Sequence, residues 1–311
     1  MRYLIAIVFI FSFYSCEKDI TIDLPKNDSK LVIEGRIESG SAPFVILSNS
    51  VSFFDEINFE TLEKSIVTDA KVFVNDGTKK IELSVICSND SALIPLLPLI
   101  SQETGIPLSL LQNIKYCVFT DPTFSMIGDK GKNYELTVEH KGKVYTSTTQ
   151  IPVPVPLDTV KIKEDKERPG YGFLNVVMSE PAGLGNCYRW FSKRLTKDTR
   201  FLSYLGSSFE DKFIDGKTFN YDVFRPQEVN STKPEDLGDA RFRYLPNDTV
   251  VVKFCSIDKN VFEFFRSFET EAGNNGNPFA APNTIKTNIK GGAIGVWAGY
   301  GAWERTYYLG Q

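Results

Sequence analysis

Few residues in this chain could carry catalytic chemistry, and their spacing limits what they could do. His140 is the one histidine in 311 residues. Zinc hydrolases draw on two or three imidazoles at set spacings, so that chemistry has no ligand set here. A Ser-His-Asp or Cys-His relay would have to run through His140. That residue opens His140-Lys-Gly-Lys143, a hairpin-like turn with no G-x-S-x-G motif beside it. The expectation is a solvated turn histidine.

Paired carboxylates could cleave glycosidic bonds without histidine. The available sets are Glu210-Asp211 with Asp215, and Glu263 with Glu269. Such catalysis needs two carboxyl groups roughly 5–10 Å apart across a cleft, and the sequence makes neither set converge. The glycine-rich run from Gly291 to Gly301 lacks the Gly-Lys-Ser/Thr ending of a phosphate loop and does not open a helix. Its glycines suit a strand that another backbone approaches closely, or a bulge. Asn75-Asp76-Gly77 and Asp215-Gly216 are too short for a calcium loop of about 12 residues. No catalytic residue, metal ligand or cofactor is expected.

The remaining chemistry is covalent modification of cysteine. Arg2 gives a positive start, an apolar run extends from Tyr3 to Phe13, and Ser15 precedes Cys16. The run is shorter than the ~20 residues a membrane-spanning helix needs and has the length of a secretory leader. An ordinary secretory cut would want a small residue where Phe13 stands. Phe13-Tyr14-Ser15-Cys16 instead resembles a bacterial lipobox, in which the cysteine becomes the lipidated first residue. Phe13 and Tyr14 depart from the commoner Leu and Ala/Ser. Residues 1–15 are then a leader and 16–30 a polar tether, whose Lys18-Asp19 loosely resembles surface-export signals. Removing Arg2 with the leader takes the formal charge from −4 to −5. A mildly acidic chain argues against nucleic acid and has no general attraction to an anionic bilayer. Attachment to a membrane would rest on several acyl chains at Cys16.

Four further cysteines, Cys87, Cys117, Cys187 and Cys255, form an even set suited to disulfides in an exported protein, with three pairings open. Cys87 with Cys117 would close the base of an inserted loop, and Cys187 with Cys255 would join two strands. Four buried free thiols are the alternative.

The elements that must position these groups read as strands. Leu31–Glu38, Phe44–Leu47, Ala70–Val74, Tyr134–Glu139 and Val144–Thr149 are short, rich in β-branched residues and bounded by turn residues. Asp76-Gly77 between apolar runs marks a hairpin. This predicts an immunoglobulin-like β-sandwich over 31–156, with an apolar, proline-broken insertion at 88–116 that forms a flap on its own sandwich or an apolar lid. Ile151-Pro-Val-Pro-Val-Pro156 is an extended, semi-rigid boundary. Residues 157–311 make a second β domain with strands at Phe173–Met178, Cys187–Phe191 and Thr249–Phe254. They also hold one amphipathic helix, with Val261, Phe264, Phe265 and Phe268 on one stripe, a cap at Ser256 or Asp258, and a stop at Gly273. The fold class is therefore mainly β, with two β-sandwich-type domains. Tyr204, Phe219, Tyr221 and Tyr244, in polar surroundings, are the aromatic candidates for ligand contact.

Cys16-Glu-Lys-Asp, Leu31-Val-Ile-Glu-Gly35, Val74-Asn-Asp-Gly77, Tyr145-Thr-Ser-Thr-Thr-Gln-Ile-Pro152, Asn277-Pro-Phe-Ala280, Asn288-Ile-Lys-Gly-Gly292 and Gly295-Val-Trp297 occur in that order. Together they resemble the family called domain of unknown function DUF4249, lipoproteins of Bacteroidota, over about residues 16–308. The 88–116 insertion departs most from that pattern. The resemblance implies an outer-membrane lipoprotein, often encoded beside TonB-dependent transporters, and carries over no catalytic residue. The functional expectation is a non-enzymatic, lipid-anchored binding or accessory component of TonB-dependent uptake, facing the cell surface. A surface hydrolase with paired carboxylates and a structural or adhesive module are the alternatives.

Overall fold

The computed structural model describes residues 29–51, 58–90, 97–104, 108–228, 231–274 and 284–309. Cys16, the leader, residues 16–28 of the tether and Asn277-Pro-Phe-Ala280 lie outside the described residues.

The chain is mainly β, and its strands pack as sandwiches. β1 (Leu31–Glu38) alternates buried Leu31, Ile33, Gly35 and Ile37 with more exposed neighbours, the period-two pattern of a strand with one face in a core. It pairs antiparallel with β2 (Phe44–Asn49), Ile33 opposite Leu47. The facing sheet runs β4 (Lys80–Glu82), β3 (Lys71–Asn75), β7 (Asn133–His140), β8 (Lys143–Gln150). Val72, Val74, Leu136 and Val138 from that sheet meet Ile33, Ile37, Val45 and Leu47 from the first.

Turn chemistry sets the register. Gly77 takes φ +88°, while the Asp76 carboxylate accepts from Thr78 and Lys79 N–H groups, which, led by the Thr78 bonds, holds its pKa at about 2. Lys141 and Gly142 both lie at positive φ between His140 and Lys143, the geometry of a two-residue hairpin loop that follows right-handed strand twist.

β5 (Ser84–Cys87) and β6 (Cys117–Thr120) place Cys87 directly opposite Cys117, and the two are joined by a disulfide. In the insertion it closes, α2 (Leu97–Thr104) and α3 (Leu108–Leu111) follow α1 (Phe59–Ser65). Leu97, Ile100 and Leu111 pack on Ile86 and Val118, so the described part of the insertion is a flap on its own sandwich. Loop-closure entropy for a separation of 30 residues gives the bond about 3.5 kcal/mol. A Cys87→Ser/Cys117→Ser variant is expected to unfold at correspondingly lower denaturant. A loss below about 1 kcal/mol would show that helix packing alone holds the insertion.

In the second half, β9 (Thr159–Glu164), β10 (Gly172–Ser179) and β13 (Thr218–Val223) form one sheet. It faces β11 (Cys187–Arg194), β12 (Ser208–Glu210) and β14 (Thr249–Ile257), with Leu174, Val176, Met178, Trp190, Val252 and Phe254 between them.

The two sandwiches share a strand. β15 (Ile294–Tyr308) pairs parallel with β1 over its first half, Gly35 opposite Trp297, and antiparallel with β14 over its second, Phe254 opposite Trp303. One eight-stranded sheet results, in the order β12-β11-β14-β15-β1-β2-β6-β5. Ile289, Ala293 and Trp297 belong to the first core, which therefore draws on residues from both sides of 156/157, while the buried residues of the second core all follow it. The pairing of residues some 260 positions apart is what local periodicity could not show.

The proline segment crosses β15 at its glycines. A Cβ on Gly299 would lie 2.1 Å from the Gln150 carbonyl oxygen, and one on Gly301 would lie 2.0 Å from that of Pro152. Close backbone approach is the reason for glycine there. Gly299 N–H also donates to Thr149 Oγ1 at 2.8 Å.

α4 (Lys259–Asn274) covers the outer face of the shared sheet. Asp258 caps it, its Oδ1 accepting from Val261 N–H at 3.0 Å, and its Oδ2 accepts from Thr149 Oγ1 at 2.6 Å, tying the helix start to the end of β8, just before the linker. The buried stripe is Val261, Phe262 and Glu269 with half-buried Phe264 and Phe265, while Phe268 is exposed. This is a rotation from the stripe the spacing predicts. Buried Arg189, on β11, draws Glu269 inward to an ion pair at 3.2 Å, and its guanidinium lies 3.5 Å from the Phe265 ring centre.

Candidate functional site: a groove at the seam

Where the linker passes between the sandwiches it forms one wall of a groove of about 570 Å³. Gln150, the segment 152–156 and Asp158 line that wall; Pro181, Gly185 and Asn186 line the other; Ser256 to Lys259 lie at its end. Crevices between domains are favoured places for ligands. The linker wall is fixed by several contacts: glycines 299 and 301 seat it, Asp258 Oδ2 accepts from Gln150 N–H at 3.2 Å, and Ser256 Oγ accepts from Val155 N–H at 3.3 Å.

The wall opposite the linker is built over three carboxylates. Oxygens of Glu180, Asp211 and Asp215 lie within 4.8 Å of one another, and the first two side chains are buried. Glu180 accepts from Asn186 Nδ2 (2.7 Å), Tyr188 OH (2.9 Å) and Gly216 N–H (2.9 Å). Asp211 accepts from the N–H groups of Gly185 (2.8 Å) and Asn186 (2.9 Å), and Asp215 from that of Gly183 (2.6 Å). Burial and the bond to Glu180 raise the Tyr188 pKa, keeping its hydroxyl a donor. Among the described residues, no lysine or arginine forms an ion pair with the three acids. An all-oxygen set of this kind suits a hard cation better than a soft one.

Asp211 and Asp215 are thus brought together, with Glu180 as a partner that the sequence reading missed. The signal for it was the glycine-rich Gly183-Leu-Gly185 following an acid, which allows the loop to fold back on the Asp215-Gly216 turn. Glu210 turns away to Lys259 and Arg266. Glu263 pairs with Lys286 at 3.0 Å, while Glu269 lies under the helix with Arg189. Six residues apart on a helix, Glu263 and Glu269 point to different faces and do not converge.

Several other expectations are corrected. His140 is buried rather than solvated: it ends β7, its Nε2 lies 3.1 Å from Asp69 Oδ1, and Lys141-Gly142 form the tip. Cys187 and Cys255 are buried free thiols. Cys187 stands opposite Ile257, and Cys255 opposite Arg189, so the two are diagonal neighbours. Diagonal positions lie about 7–8 Å apart, beyond disulfide reach. Burial pushes the Cys187 thiol up to about 12 and raises Cys255 as well, so neither is a ready nucleophile.

The aromatic candidates fill the second sandwich. Tyr244 is fully buried and shares a hydrogen bond with Ser192. Tyr204, Phe219 and Tyr221 pack against the same core, with Phe219 and Tyr221 stacked at 5.2 Å. Tyr244 is enclosed, whereas Tyr204, Phe219 and Tyr221 are half-buried and pack one side against the core. No described helix is long and apolar enough to cross a membrane.

Compared with known proteins, residues 17–305 match the family model described as a domain of unknown function (DUF4249). No curated protein matches the chain.

Proposed function

We propose, for a chain that belongs to the DUF4249 family, a non-enzymatic binding role exercised through the groove between the two sandwiches. In this reading the protein is held at the outer membrane by lipid on Cys16, faces the cell surface, and serves as an accessory to a TonB-dependent transporter. The observation that carries the binding role is the groove itself. Its lining runs from Gln150 at the end of β8 through the linker to residues of the second sandwich, and backbone contacts to β15 seat the linker wall, which favours a groove formed before a ligand arrives. The lipobox-like Phe13-Tyr14-Ser15-Cys16 supports the anchor.

The test is a pull-down from detergent-solubilised outer membrane with tagged wild type and a Cys16→Ala control, alongside labelling with a palmitate analogue. Wild type is expected to take the label and to co-purify a barrel transporter; the control should do neither. A lipidated, folded protein that recovers no transporter would overturn the accessory role. The clustering of Glu180, Asp211 and Asp215 gives a hydrolase its own test. Turnover of a glycan or peptide that Asp211→Asn abolishes would replace the binding reading with it.

A further inference from the structure

The groove's lining also indicates what class of ligand it accepts, an inference that rests on the binding role just proposed. On the linker wall, the carbonyls of Val153, Pro154, Val155 and Pro156 accept no hydrogen bond from any described residue. Prolines at 152, 154 and 156 remove three N–H donors, and Val155 N–H is already given to Ser256. Next along the wall, the exposed Asp158 carboxylate has no partner among the described residues, its backbone N–H alone being engaged, with Val177. What this wall offers is therefore mainly acceptors and one negative charge. Behind the facing wall sit Glu180, Asp211 and Asp215 without a cationic partner among the described residues, adding to a negative field in a crevice. The one lysine of the lining, Lys259, is already paired with Glu210.

Val153, in the linker wall, is 68% exposed, and Leu184, which precedes Gly185 of the facing wall, is 71% exposed. Phe213, at 80%, lies on the adjoining loop, which Gly183–Asp215 and Gly185–Asp211 hydrogen bonds stitch to the Leu184 loop. These are the three most exposed large apolar side chains among the described residues. Exposed apolar side chains beside a crevice suit contact with a macromolecule.

We propose that the groove receives an extended, cationic polypeptide segment, its N–H groups and a lysine or arginine directed to the carbonyl-rich wall and Asp158, its apolar side chains resting on Val153 and Leu184. An extended backbone supplies donors at regular spacing, which a small amine or a glycan hydroxyl array does not combine with apolar side chains.

The experiment is fluorescence anisotropy of labelled peptides titrated with the purified full chain in detergent. The probes are an alternating Lys-Val hexapeptide, the matching Glu-Val hexapeptide, and labelled spermidine. The Lys-Val peptide is expected to bind, and to weaken as salt rises. The Glu-Val peptide and spermidine should bind at least about tenfold more weakly. Asp158→Asn should weaken the Lys-Val peptide about threefold to fivefold, the range of one exposed charge pair, and Leu184→Ser similarly. Phe124→Ser, at a remote exposed site, should change nothing. Near-ultraviolet circular dichroism establishes that each variant is folded. Equal binding of Lys-Val and Glu-Val, spermidine matching the peptide, no binding up to about 1 mM, or indifference to Asp158→Asn would each overturn the inference. If a transporter co-purifies while the Lys-Val peptide fails, the accessory role stands and the ligand class alone falls.

Discussion

Replacing Trp297 by alanine is expected to cost about 3–5 kcal/mol, the range for truncating a fully buried tryptophan. Trp297 is completely buried, and its Nε1–H donates to the Tyr134 carbonyl at 2.9 Å, joining β15 to the opposite sheet of the first sandwich. Truncation therefore opens a cavity and removes a hydrogen bond between the two sheets together. The site has a built-in control. A Cβ on Gly35 would lie 2.6 Å from Trp297 Cε3, so Gly35→Ala should be destabilising in the wild type by about 1–3 kcal/mol. In the Trp297→Ala background the same change should cost little, because the ring that excludes the methyl is gone. The measurement is urea unfolding of the four proteins of this cycle. Because β15 is continuous through both sandwiches, loss should appear as an earlier single transition, not as separate melting of the first half. Additive effects of the two substitutions would show that the packing at Gly35 and Trp297 is not coupled as the geometry requires.

The same strand shows what was legible in the sequence. Alternation in Leu31–Glu38, the Asp76-Gly77 turn and the Lys141-Gly142 hairpin are local properties, fixed by pleat and backbone conformation, and they place the strands correctly. The glycines of 295–301 were readable as a place of close approach, but not which backbone approaches. That depends on the linker folding back over a strand some 150 residues away. The amphipathic helix was legible, but its rotation was not. Arg189 must be neutralised where it is buried, and the residue available for that, Glu269, overrides the phenylalanine spacing. The site is similar. Asp211 and Asp215 were visible as acids in a turn, yet Glu180 joins them only through the folding of a separate glycine loop. Asp158 looked like any residue after a proline segment until the groove existed around it. The packing of the aromatic candidates was not legible either: in a second sandwich with a long irregular segment, large rings help to fill space between sheets, and Tyr244 is wholly enclosed there.

That irregular segment is held by buried charge, and breaking the charge is the second large effect expected. Arg225 is 1% exposed, and its guanidinium donates to the carbonyls of Arg243, Glu235 and Ala240 and to Asp236 Oδ1. Asp236 also accepts from the Ser231 hydroxyl. Asp236→Ala leaves a buried guanidinium without its counter-charge, and should cost about 3–5 kcal/mol. Arg225→Met combined with Asp236→Leu removes both charges and should cost less than Asp236→Ala alone. Acid provides an independent reading. Burial pushes the Asp236 carboxyl up, but the bonds from Ser231 and Arg225 outweigh it, and its folded pKa lies below the usual value. A depressed carboxylate contributes stability that is present above its unfolded pKa and is lost as pH falls through the folded one. Denaturant unfolding of wild type and Asp236→Ala should therefore show the full difference at pH 7, with the gap narrowing below about pH 4. A difference that stayed constant down to pH 2 would assign the loss to packing alone, and a difference under about 1 kcal/mol at pH 7 would show that the loop does not depend on the pair.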